Sequence, residues 1–155
     1  FCSLLLALID TLSYGQEAIQ NRIITTQSQE LVLIEEVLIE APVRDAWKAY
    51  TTAEGMMAWS APLVEVDLRA GGSIRSLYDT NLNIGDPGTI NLRIVNYVPE
   101  RLLTLQAEQA ESWPEVMKQD RGNLMNVIFS NPLARIRPRY FHMELVIGTF
   151  QSTGK

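Results

Sequence analysis

Along the chain, apolar positions first appear as an unbroken run, Leu4-Leu5-Leu6-Ala7-Leu8-Ile9. The run is too short to cross a bilayer as a helix. Residues 16–29 are polar and keep no sustained period, so they read as a leader ahead of a domain. From Glu30 to Glu40 the pattern becomes that of a strand, with Val37, Ile39 and Ala41 alternating with Leu38 and Glu40. Pro42 then stands where a helix starts, since the first helical position has no use for an N–H. Val43, Ala46, Trp47 and Tyr50 follow at spacings of three and four, which places them on one helical face. A second short helix is predicted over 53–59, although Gly55 counts against it.

The period changes again at Leu63. Val64, Val66 and Leu68 alternate with Glu65, Asp67 and Arg69, Ala70-Gly71-Gly72 makes a turn, and Ile74, Ser76 and Tyr78 form the returning strand. Asp86-Pro87-Gly88 marks the next turn, and Ile90, Leu92 and Ile94 the next strand. Pro99-Glu100 turns the chain into a strand bearing Leu103 and Leu105. Residues 112–123 are a polar connection, and Leu124 to Phe129 is the last segment read as a strand. A strand, two helices and a run of antiparallel strands make an α+β domain.

The 155 residues suit one domain, and 46% hydrophobic against 20% charged residues suits a packed core. The formal net charge of -5 argues against nucleic acid, whose phosphates call for a basic face. Ser13-Tyr14-Gly15 after the apolar run matches the small residues of a signal-peptidase site, and the chain begins with Phe1. Residues 1–15 are therefore read as the remnant of a signal peptide, and the protein as exported, periplasmic or secreted. Cys2, the only cysteine, precedes the apolar run, so neither a lipid anchor nor a disulfide is expected in the mature chain.

Several pieces together resemble the START-like (SRPBCC) superfamily, in the branch named for heat-shock protein ATPase activator homologues. They are Val37-Leu38-Ile39-Glu40-Ala41-Pro42, the helix from Val43 to Thr52 with Trp47, and Met57-Ala58-Trp59. The most specific is Val64-Glu65-Val66-Asp67-Leu68-Arg69-Ala70-Gly71-Gly72, followed by Gly88-Thr89-Ile90 and Pro99-Glu100-Arg101-Leu102. The likeness covers residues 31–129. It implies a helix-grip fold, in which a curved antiparallel sheet wraps a long C-terminal helix around an apolar cavity. It also implies binding of lipid-, hormone- or polyketide-like molecules, cyclase or hydrolase chemistry, or a chaperone partner. Fold alone does not choose among these.

After Asn131-Pro132 the chain departs from the family. Arg135, Arg137, Arg139 and Lys155, four of the 13 basic residues, face a single acid, Glu144. No helical face and no long strand pattern is read here, and the long C-terminal helix is expected to be absent. The codons that His142 to Gly148 permit can be read in a shifted frame as a family-like strand and turn. The expected organisation is therefore a START-like domain over 30–134 and an atypical tail over 135–155, out of frame; one clean frame ending at Lys155 would sink that idea.

Chemistry-bearing patterns are sparse. The single histidine, His142, lies in that tail, and no metal-ligand spacing or catalytic triad is present. No cofactor is expected. Glu35, Glu36, Glu40, Glu65 and Asp67 lie on strands, where alternation turns most towards water. Trp47 belongs to the core. Trp59, Tyr78 and Trp113 are candidates for lining an apolar pocket, and Arg75 or Arg93 for meeting a ligand carboxylate, with plain packing and a solvated face as the ordinary alternatives. The expected function is binding of an apolar small molecule by an exported carrier or sensor, without stable membrane insertion. The alternatives are a cyclase- or hydrolase-like enzyme, a chaperone-type protein partner, and a frameshifted product without function.

Overall fold

The computed structural model describes residues 19–27, 31–108, 124–130 and 140–148. Its elements are β1 (Gln20–Thr25), β2 (Leu31–Glu40), α1 (Val43–Thr51), α2 (Ala53–Met57), β3 (Leu63–Val66), β4 (Ser73–Leu77), β5 (Ile90–Val98), β6 (Leu102–Ala107), β7 (Leu124–Ser130) and β8 (Tyr140–Gly148). The eight strands form one antiparallel sheet in the order β1-β2-β8-β7-β6-β5-β4-β3. The sheet is open and curved, and the two helices are short. Among the described residues no helix follows α2. The α+β helix-grip expectation therefore holds.

Two expectations about the chain's ends do not. Residues 16–29 include β1, which pairs with β2 from Gln20 opposite Glu36 to Thr25 opposite Leu31. Every residue of β1 is exposed, so no alternation marks it in the sequence. The expectation of no strand after 134 is overturned more strongly. β8 lies inside the sheet, paired with β2 from Val32 opposite Gly148 to Glu40 opposite Tyr140, and with β7 from Leu124 opposite Gly148 to Ser130 opposite His142. Phe141, Met143, Leu145 and Ile147 point to one face and Glu144 and Val146 to the other, an ordinary strand alternation.

The helices start where local chemistry directs. Pro42 is the N-cap of α1, one position earlier than expected, and Asp45 N–H donates to its carbonyl at 2.9 Å. Thr52 then serves two helices. Its N–H donates to the carbonyl of Lys48 at 3.0 Å, closing α1, and its hydroxyl accepts from Gly55 N–H at 3.0 Å, capping α2. A Cβ on Gly55 would lie 2.3 Å from the Lys48 carbonyl oxygen. The glycine that weakens α2 by propensity is thus what lets α2 begin against α1.

The β3–β4 connection is longer than the alternation predicts. β3 ends at Val66, and Asp67 to Gly72 fold into a turn closed by Gly72 N–H donating to Arg69 O at 2.9 Å. The turn docks on β5, with Gly71 N–H donating to Ile94 O and Ile94 N–H to Gly72 O, both at 2.8 Å. A Cβ on Gly72 would sit 2.1 Å from the Asp67 carbonyl oxygen. Gly72→Ala is therefore expected to lower the unfolding free energy by about 1–3 kcal/mol. Urea unfolding monitored by far-ultraviolet circular dichroism checks this, and an unchanged midpoint would show that the turn yields freely.

One face of the sheet carries the core. Ile74, Ile94, Leu103, Val127 and Phe141 are almost fully buried there, each contributing about 1.5–3 kcal/mol on general transfer grounds. Ile94 and Tyr97 both turn to this face although they are an odd number of residues apart. The register shift between Ile94 and Asn96 makes that possible, because the bulged Val95 takes up the extra residue.

Candidate functional site

The inner face of the sheet, defined by the buried core positions and the strand registers, runs from Glu35, Val37 and Ile39 on β2 to Val64 and Val66 on β3. Across β2 to β8 its positions are apolar except Glu35, Ser76 and the phenol of Tyr97. Met125, Met143, Leu145 and Leu92 are only partly buried, packed against the core while keeping some surface open. Methionine side chains on such a face adapt readily to an apolar guest.

α1 lies on this face through its aromatic residues. Trp47 meets Phe129 edge-on at 5.7 Å and Tyr97 at 6.3 Å between ring centroids. Tyr50 meets Phe129 edge-on at 6.0 Å and Trp59 at 4.9 Å, and Phe129 meets Phe141 at 6.2 Å. The helical spacing of Trp47 and Tyr50 aims both at one sheet position, Phe129. Trp59 is held from the side by its indole N–H, which donates to Ala49 O at 2.9 Å. Its ring remains 55% exposed, at the rim of the aromatic group.

The Tyr50 phenol is held above its usual pKa, first by burial and second by the negative charge of Glu35. Because the folded value is raised, the protonated phenol contributes stability below the unfolded pKa of about 10. That contribution is lost as pH rises through the folded value. The phenolate absorbance assigned to Tyr50, by difference from Tyr50→Phe, is expected at higher pH in the folded protein than in urea. Glu35→Gln should return it part of the way. Coincident folded and unfolded titrations would contradict this account.

The residues singled out from the sequence are not brought together. Trp59 lies at the inner rim. Tyr78 follows β4 and is 63% exposed. Arg75 and Arg93 point to the opposite, outer face, where Arg75 pairs with Glu65 and Arg93 donates to Gln106 Oε1 at 2.5 Å. The alternation with Ile74 and Ile94 fixes that direction. Trp113 lies outside the described residues. What the sequence reading missed is the inward direction of Glu35 and the reach of its charge to Tyr50. Glu35 was countable as inward from its even spacing to Ile39, but β2 is apolar on both sides, so its alternation is faint. Among the described residues no group of three or more His, Cys, Asp or Glu side chains could hold a metal ion. Chemically, the arrangement presents an apolar face that also carries a carboxylate and a phenol.

A curved antiparallel sheet with short helices on one side is the helix-grip architecture of START-like proteins. The chain belongs to the family described as activator of Hsp90 ATPase homolog 1-like protein, whose model matches residues 40–147. The match takes in residues 135–147, which the out-of-frame reading sets aside. Solved structures agree in fold. A conserved protein of unknown function, EF2215 from Enterococcus faecalis, aligns with a TM-score of 0.59 at 13% identity over 86% of this chain, which spans 63% of that protein. The Aha1 dimer from Colwellia psychrerythraea gives 0.57 at 14% identity over 80% of each chain. PFC0360w, an HSP90 activator from Plasmodium falciparum, gives 0.56 at 16% identity over 79% of this chain and 76% of that one. No curated protein matches the chain.

Proposed function

We propose that the protein holds an apolar small molecule against the inner face of its sheet and works as an exported carrier or sensor. The observation that carries this reading is the nearly unbroken apolar inner face, on which Met125, Met143, Leu145 and Leu92 remain partly open beside the aromatic group. Binding sites of this kind are mostly apolar with a few convergent polar groups. The signal-peptide pattern of residues 1–15 supports export. Native mass spectrometry of the protein purified from its own host tests both parts. A co-purifying apolar molecule, released on denaturation, and a mass that begins after Gly15 are expected. A soluble, folded but empty protein would sink the carrier reading, and an uncleaved leader would sink export.

A second reading, a chaperone-type protein partner, is favoured by the family and by the likeness to the Plasmodium falciparum HSP90 activator. It predicts acceleration of a chaperone ATPase by the purified protein.

A further inference from the structure

β1 ends the sheet without protection. Its ladder to β2 runs unbroken from Gln20 to Thr25, so one backbone edge meets β2 and the other faces water. Among the described residues no strand pairs with that second edge. Proteins usually guard such an edge with a lysine, a proline, a bulge or a very short strand. β1 has none of these. Its one charge, Arg22, meets Glu36 of the same chain at 3.6 Å. Ile23 and Ile24 are both exposed, Ile23 at 69%. The opposite edge of the sheet is guarded: β3 has only 4 residues, and its Glu65 pairs with Arg75.

We infer that β1 is a pairing edge for a second copy of this chain, with Ile23 on the two-fold axis. The strand fits its own copy in one way. Residues opposite each other in an antiparallel pair point to the same face, so the axis falls on a residue and not between two. Ile23 lies opposite Leu33 on the inner face, and Arg22 opposite Ile34 on the outer one. An axis at Arg22 would set two guanidinium groups against each other, and like charges directly opposite are destabilising. An axis at Ile24 would shorten the pairing to residues 23–25 of the strand. An axis at Ile23 pairs residues 21–25. Isoleucine then meets isoleucine, Asn21 meets Thr25, and the stem of Arg22 covers Ile24 of the second copy. The backbone groups of the two edges exchange hydrogen bonds. With its one charge answered inside the chain, the edge offers nothing charged for a foreign strand to match. The two copies form one continuous sheet with both inner faces on the same side.

Sedimentation velocity of the full chain over a concentration series tests this. The parent should sediment as a monomer–dimer equilibrium. Ile23→Lys and Ile23→Glu each place like charges on the axis and should raise the dissociation constant more than about tenfold. Mixed in equal amounts, the two variants should dimerise with each other, because opposite charges then meet. Urea unfolding of each variant confirms that it is folded. A parent that stays monomeric, or association that persists in each variant alone, overturns the inference. So does a mixture that stays monomeric, because an axis at Ile23 brings the two substituted positions face to face.

Discussion

Phe129→Ala is expected to lower the unfolding free energy by about 3–5 kcal/mol, the cost of emptying an aromatic site that cannot collapse. Phe129 is 3% exposed and is the ring on which Trp47, Tyr50 and Phe141 converge. Each edge-on contact adds about 0.5–1.5 kcal/mol beyond the area it buries. The neighbours cannot close the gap, because Trp47 and Tyr50 are fixed by α1 and Phe141 by a strand paired on both sides. Native domains hold only about 5–15 kcal/mol in total, so the variant should melt far below the parent. Phe129→Leu keeps much of the volume and should lose about half as much. The same change has a second signature. With the ring beside it gone, water reaches Tyr50, and the part of its raised pKa that burial supplies should shrink. Trp59→Ala is the contrast: it removes a rim ring and one hydrogen bond to Ala49, and a loss of about 1 kcal/mol is expected. Equal losses at Phe129 and Trp59 in urea unfolding would contradict the placement of the core.

What could be read from the sequence is what burial writes into it. α1 is legible because Val43, Ala46, Trp47 and Tyr50 turn one face inward, and β4 because buried Ile74 and Ser76 flank half-exposed Arg75. The turn at Gly71-Gly72 is legible because Gly71 takes a positive φ and a side chain on Gly72 would meet the Asp67 backbone. β1 leaves no trace, since it buries neither face and is held by backbone pairing to β2. β2 blurs the inward direction of Glu35, since both of its faces are apolar. The bulge at Val95 hides in a strand that otherwise alternates, because only the partner strand reveals the slip. The charge of Glu35 reaches Tyr50 from a neighbouring element, and no spacing rule connects a strand position to a helix position across a turn.

β8 is the instructive case, and it carries the other large expected effect. Phe141, Met143, Leu145 and Ile147 alternate with His142, Glu144 and Val146, a sufficient strand signal. The basic run at Arg135, Arg137 and Arg139 and the unmet expectation of a long helix draw attention from it. Pairing shows its weight. β8 is flanked by β2 and β7, so it completes two ladders and brings the start of the domain beside its end. A chain stopped after Arg139 would leave β2 and β7 each with an open edge. Phe129 would lose Phe141, one of the most buried residues of the core. Removing Phe141 alone is worth about 3–5 kcal/mol, and the pairing lost with the other strand residues adds to it. The truncated protein is therefore expected to show no cooperative unfolding transition and to expose apolar surface to a dye such as ANS. Removal of residues 1–27, and with them the exposed β1, should leave a cooperative transition with a smaller loss. If the chain ending at Arg139 instead unfolds cooperatively near the parent midpoint, β8 is dispensable to the fold.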